Sequence, residues 1–191
     1  MAGGSRLAGL AMEAYGMDVV LYETVGVGQG EVEVASAADT VILCLQPGTG
    51  DSVQALKAGV MEIADIFCIN KADNPQVGNT VSEVRSILEI GHELDPDAPM
   101  PPIVKTRGDN GEGVEELKEK IEEHREFLRE SGRMEERRRE SAKDFVLSWA
   151  TNKMEKTLQE RLAKEDAEVI EKVQRKELDP ISAAESLYEE A

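Results

Sequence analysis

Up to about Gly113, short continuous apolar runs alternate with stretches whose apolar positions recur every three or four residues. The runs are Asp18 to Glu23 (DVVLYE), Thr40 to Gln46 (TVILCLQ), Asp65 to Lys71 (DIFCINK) and Ile103 to Thr106 (IVKT). Unbroken apolar runs of this length suit strands covered on both faces. Between them the pattern turns helical. Ser5 to Gly16 reads as a short helix stopped by Gly16. Glu31 to Ala38 reads as another. After a Pro47 to Asp51 loop, with Asp51 or Ser52 as N-cap, Val53, Leu56, Val60 and Ile63 fall on one stripe of a helix. Val81 to Leu94 is amphipathic, and a Pro-rich connector, DPDAPMPP, leads from it to the last run. Strands alternating with helices predict a parallel α/β sheet with right-handed crossovers and helices on both faces.

Beyond Gly113 the strand signal ends. Glu, Lys and Arg become dense, and apolar residues recur at helical spacing (Leu117, Ile121, Phe127 and Leu128; Phe145, Leu147 and Trp149; Met154, Leu158 and Leu162). The pattern predicts a helix from Val114 to roughly Glu130 that closes the sheet domain. A helical arm then runs from roughly Met134 to Ala191, broken near Asp179-Pro180, since proline suits only a helix's first turn. The charge run EERRRE (Glu135 to Glu140) reads as a solvated helix face. The division is residues 1–131 for the sheet domain and 132–191 for the arm.

Composition narrows the function classes. The chain has 191 residues, 22 Lys and Arg against 39 Asp and Glu, and a formal charge of −17. Binding nucleic acid needs a basic face, so neither nucleic acid nor an anionic membrane surface is an expected partner. No apolar run approaches the roughly 20 residues that span a bilayer. The Gly-rich start is no secretory signal, so the expected location is cytoplasmic. Cys44 and Cys68 lie in apolar runs and read as small buried core residues, and with no CxxC pair a zinc site is not expected.

The chemistry sits at the ends of the runs. NKAD (Asn70 to Asp73) follows the run DIFCI directly and matches N-K-x-D, the guanine-reading motif of G proteins. A carboxylate at Asp73 can accept hydrogen bonds from guanine N1–H and the exocyclic amine. Adenine lacks that donor pair and would leave the acid unmatched. Lys71 can lay its stem over the base, and Asn70 can tie loops together. The carboxyl end of a strand is where open α/β sheets bind ligands. ETVGVGQ (Glu23 to Gln29) also follows an apolar run and resembles the D-x-x-G switch motif, with Glu23 for the aspartate. An acid there can hold a water of the Mg²⁺ shell. The Gly26 amide can reach the γ-phosphate, an approach only glycine permits.

Further segments stand in fixed order. ETVGVGQ-x-E-x-E-V-A covers Glu23 to Ala35 and LQPG-x-GD covers Leu45 to Asp51. K-x-G-(I/V)-ME-x-AD covers Lys57 to Asp65, and NKAD follows. Together they resemble the MeaB/ArgK family (MMAA in animals), clearly from about Gly3 to about Leu128 and more loosely to the end. The resemblance implies a P-loop GTPase fold and GTP or GDP with Mg²⁺. It also implies a role in loading, protecting and reactivating adenosylcobalamin-dependent acyl-CoA mutases, methylmalonyl-CoA mutase above all. It further implies an additional switch over Asp51 to Met61 and a homodimer formed through the arm.

The chain departs from that family twice. No G-x-x-x-x-G-K-(S/T) loop is present, and with it the first strand and the switch I aspartates are missing. The expectation is a truncated fragment, or a split protein whose N-terminal half is a separate chain, with little or no GTPase activity alone. A sheet lacking a strand exposes an edge, so the isolated chain is expected to be dimeric, poorly soluble, or both. Where the family's guanine-supporting loop reads S-A or V-A, this chain has Arg107-Gly108, and Gly108 can still offer its amide to the guanine carbonyl. The other readings are a non-hydrolysing interaction module, binding a mutase or a separate N-terminal half, and an ATPase, which Asp73 speaks against.

Overall fold

The structure is a computed structural model that describes residues 2–24, 36–48, 63–94, 99–164 and 167–189. The order of elements is α1 (Ala2–Ala14), β1 (Ile42–Leu45), β2 (Ile66–Ile69), α2 (Val77–Leu94), β3 (Ile103–Lys105), α3 (Val114–Glu130), α4 (Arg133–Lys164), α5 (Ala167–Gln174) and α6 (Pro180–Glu189). The chain forms two compact units, Met1–Ser141 and Ala142–Ala191, and α4 runs from one into the other.

The first unit is built on a parallel sheet in the order β1-β2-β3. All of β2 is buried, as its unbroken apolar sequence requires. On one face Leu43, Leu45, Phe67 and Ile69 form the core with Val84 of α2, joined by Val77, Val81, Ile87, Leu88 and Ile103. These α2 residues recur at three- and four-residue spacing, which is why the helix lies on that face. The alternate positions Ile42, Cys44, Ile66, Cys68 and Val104 belong to the other face. Helix α3 also packs against β2, and its Leu128 is buried.

Helix ends follow local chemistry. Past α1, Gly16 (φ 94°) lets its own amide reach Glu13 O and that of Met17 reach Met12 O. Past α5 the left-handed position is Lys176 (φ 61°), closing a like pair of bonds to Val173 O and Lys172 O. Asp179 Oδ1 accepts the amides of Ile181 and Ser182 and caps α6, with Pro180 in its first turn. Within the second unit α5 and α6 pack together, Ala183 is buried, and Arg161 of α4 donates to Leu187 O. No helix among the described residues is long and apolar enough to cross a membrane.

The sequence expectations differ from the structure in three places. Asp18 to Glu23 is not a strand. It has no regular structure, and Val19 and Leu21 are 72% and 88% exposed. An apolar run becomes a strand only beside another strand, and none of the described strands pairs with it. Cys44 is exposed rather than buried. The run Glu135 to Glu140 is not wholly a solvated face, because Arg137 and Arg138 are tied to acids before β2 and β1. The break expected near Asp179-Pro180 is present, between α5 and α6. The helix expected from Ser52 and most of the one expected from Glu31 lie outside the described residues.

Candidate functional site

The NKAD segment leaves the carboxyl end of β2 and is bound on both sides. Asn70 N donates to Leu45 O (2.9 Å), and Ala72 N to Thr106 O (3.0 Å), while Thr106 N donates to Ile69 O (2.9 Å). The ladder of the sheet therefore continues into the loop. Asn70 Oδ1 accepts from Gly108 N (3.0 Å) and lies 3.4 Å from Thr106 Oγ1, so this side chain joins the loop after β2 to the loop after β3. The Gly108 amide expected to serve a guanine carbonyl is thus engaged with Asn70. Lys71 has φ 57°, a left-handed conformation uncommon for a residue with a side chain. Asn74 takes up the turn, its Oδ1 accepting from Gln76 N (2.9 Å) just before α2.

Asp73 is exposed, and its Oδ1 lies 3.6 Å from Arg107 Nε, longer than a hydrogen bond. The Arg107 guanidinium is shared with Asp109 (3.1 Å) and Glu112 (3.7 Å), and its Nε is buried without a hydrogen-bond partner. The hydrogen bond and charge of Asp109, then the charges of Asp73 and Glu112, raise its pKa further. Arg107 N donates to Glu112 O (2.8 Å), folding residues 107–112 into a tight turn. That turn needs glycine at its end. Gly113 has φ 76°, and a Cβ there would stand 2.0 Å from Lys105 O.

Glu23 lies exposed at the end of the irregular segment. Gly26 and the whole of Asp51 to Met61 lie outside the described residues. Asn70, Lys71, Asp73 and Gly108 are brought together. Among the described residues no group of three or more His, Cys, Asp and Glu is placed to hold a metal ion.

A second cluster, at the amino ends of the strands, was missed by sequence reasoning. Asp65, directly before β2, accepts from Val41 N (2.8 Å), from both Arg137 terminal nitrogens (2.8 and 2.6 Å), and stands 3.4 Å from His124 Nε2. His124 Nδ1 meets Thr40 Oγ1 at 2.9 Å. Arg137 also donates to Asp39 O (2.7 Å), and Arg138 holds the Asp39 carboxylate through two bonds (3.0 and 2.7 Å). Burial pushes the Asp65 pKa up, but hydrogen bonds from His124, Arg137 and the Val41 amide, with the Arg137 charge, outweigh it and hold the group at about 2. The available signal was an acid immediately before a buried strand, with no local cation to answer it.

Comparison with known proteins agrees with this geometry. The sequence model of the family described as "Methylmalonyl Co-A mutase-associated GTPase MeaB" matches residues 4–164. A Pyrococcus horikoshii protein that carries a GTPase name is 45% identical over 183 residues, covering 93% of this chain and 56% of that one. GTPase ArgK of Escherichia coli is 34% identical over 140 residues, covering 72% of this chain and 42% of that one. The chain thus spans about half the length of these relatives. The crystal structure of LAO/AO transport system kinase superposes with a TM-score of 0.64 at 26% identity, covering 98% of this chain and 62% of that one. A parallel sheet flanked by helices, NKAD at the end of its buried middle strand, and a family match over most of the length lead to one assignment: the chain belongs to the MeaB family of GTPases.

Proposed function

We propose that this chain is the guanine-reading part of a GTP-binding, GTP-hydrolysing chaperone for an adenosylcobalamin-dependent acyl-CoA mutase. The observation that carries the reading is the NKAD loop, seated at the carboxyl end of β2 and tied by Asn70 to the loop after β3. The residues fit a guanine. Asp73 presents an exposed carboxylate with no hydrogen bond to Arg107, so its oxygens are open to the base N1–H and amine. Lys71 is exposed, and its stem suits the purine face. Asn70 fixes the spacing of the two loops, and Gly108 lines the carbonyl side. Magnesium fits only through water at Glu23, a single exposed acid, since this ion keeps several waters and takes the rest of its shell from phosphates. Bound there, the ion would neutralise phosphate charge during hydrolysis. In this reading Gly26 serves the γ-phosphate, Asp51 to Met61 relays nucleotide state to the mutase, and the arm is a dimer contact.

A second reading is a non-hydrolysing module that binds a mutase or a separate N-terminal half. The exposure of Val19 and Leu21, apolar residues that suit a strand, favours it.

The test is a titration of the purified chain with fluorescent GDP, with and without Mg²⁺, competed by GDP and ADP. Displacement by GDP and not ADP is expected, together with little GTP hydrolysis. Displacement by ADP would overturn the base assignment, and turnover matching full-length relatives would overturn the inactivity of the isolated chain.

A further inference from the structure

Cys44 and Cys68 stand directly opposite one another in the parallel ladder of β1 and β2. In-register neighbours on adjacent strands project to the same face, with strands about 4.8 Å apart, which lies within the Cα span a disulfide bridges. The partners differ in access, since Cys44 is exposed and Cys68 is buried. On its other side Cys68 Sγ lies 3.2 Å from Thr106 Oγ1, and Thr106 Oγ1 lies 3.4 Å from Asn70 Oδ1. A continuous path thus runs from an accessible thiol, through a buried one, to the side chain that joins the two base-reading loops.

We propose that Cys44 and Cys68 form a thiol–disulfide exchange site for small disulfides such as glutathione disulfide, and that its state reaches the Asn70 loop through the Thr106 hydroxyl. The nucleotide consequence rests on the guanine reading above, whereas the exchange and its effect on the loop do not.

The geometry assigns the roles. The hydrogen bond from Cys44 lowers the Cys68 pKa, burial opposes this, and the hydrogen bond from Thr106 adds to it. Cys44 is raised, chiefly by its hydrogen bond with Cys68. Loss of one proton from the pair is therefore eased at Cys68, and the thiolate reaches Cys44 by transfer of the proton that remains. Cys44, as the accessible sulfur, attacks glutathione disulfide as the thiolate. The glutathione S–S bond breaks, a Cys44–glutathione bond forms, and one glutathione leaves and takes up a proton. The Cys68 thiolate then attacks the Cys44 sulfur and displaces the second glutathione, which takes up the other proton. The pair loses two electrons and two protons, and glutathione disulfide gains both to become two glutathiones.

Thr106 has a single hydroxyl proton. While Cys68 is a thiolate it can only accept, so it competes with Asn70 Oδ1 for that proton. In the disulfide Cys68 is a poor acceptor drawn toward Cys44, and the hydroxyl turns to Asn70 Oδ1, joining the Gly108 amide there. Oxidation therefore holds the base-reading loops together more firmly.

The full chain, treated natively with glutathione disulfide, is measured by intact mass and peptide mapping. The expected product has lost two hydrogens, retains no glutathione and links Cys44 to Cys68. The variant C68S is expected to keep glutathione on Cys44, and C44S to stay unmodified. Amide exchange at Gly108 is expected to slow several-fold on oxidation, and Thr106→Val is expected to abolish that difference. Glutathione retained on Cys44 of the unaltered chain, or no reaction until the chain is denatured, overturns the exchange site. Unchanged Gly108 exchange, or equal slowing in Thr106→Val, overturns the relay. Fluorescent GDP offered to both forms is a separate arm. Failure of both to bind refutes the guanine reading and leaves the mass and exchange results to judge the pair.

Discussion

In the proposed reading, base selectivity rests on one carboxylate, that of Asp73. Replacing its acceptor oxygen by an amide donor should invert the preference, because xanthine carries a carbonyl where guanine carries an amine. Asp73→Asn is expected to lose GDP by at least about tenfold, the weight of one buried hydrogen-bond mismatch, while gaining xanthosine diphosphate. Competition binding with both nucleotides checks this, and equal loss of both would assign Asp73 a structural role. Lys71 adds a different kind of test, because its left-handed backbone is strained whatever its side chain does. Lys71→Gly is expected to raise stability by up to about 1 kcal/mol in urea unfolding, yet to weaken nucleotide binding. At this scale the NKAD residues were legible because a four-residue pattern followed a buried run. Asp65, His124 and Arg137 were not, since they lie 59 and 72 positions from Asp65 in the chain and meet only once the sheet and α4 have formed. Arg107 against Asp73 was invisible for the same reason.

Among elements, local pattern decided most of the outcome. Helix α3 occupies Val114–Glu130, the range its spacing predicts, and exposed i,i+3 pairs such as Glu115 with Lys118 and Glu122 with Arg125 support it. Strands β1, β2 and β3 lie inside three of the four apolar runs. The fourth, Asp18 to Glu23, shows the limit of the method. Apolar continuity reports that a segment could be buried between neighbours, whereas a strand exists only through hydrogen bonds to a particular partner. The turn from β3 into α3 is the element least tolerant of change. Gly113→Ala forces both a left-handed alanine and a Cβ 2.0 Å from Lys105 O. A loss of about 3 kcal/mol or more is expected in denaturant unfolding, with the loop after β3 displaced. A loss under about 1 kcal/mol would show that this turn can re-form around a side chain.

For the molecule as a whole, acid stability should report the Asp65 cluster. Its folded pKa of about 2 lies below the unfolded carboxylate value, so its contribution is full above about pH 4 and fades as pH falls toward 2. The difference amounts to roughly 2 kcal/mol at neutral pH. Asp65→Asn is expected to lower stability at pH 7 by at least that much, since Arg137 loses its partner, and to flatten the fall between pH 4 and 2. Unfolding curves across that range decide it, and an unchanged slope would remove Asp65 from the account. The overall class, a parallel sheet with helices and a helical C-terminal stretch, was legible from the succession of periods. The division into Met1–Ser141 and Ala142–Ala191 was not, because α4 carries its helical pattern across the boundary without a break. One element connects the two ends of the first unit. Asp65 immediately precedes β2 and Asn70 immediately follows it, so four buried residues act as a ruler between the charged anchor and the NKAD loop. A ruler of that length has no slack. Inserting or deleting a single residue would reverse which face every later side chain meets, putting either the anchor or the loop out of register. Natural length variation in this protein should therefore accumulate on either side of β2 and never within it.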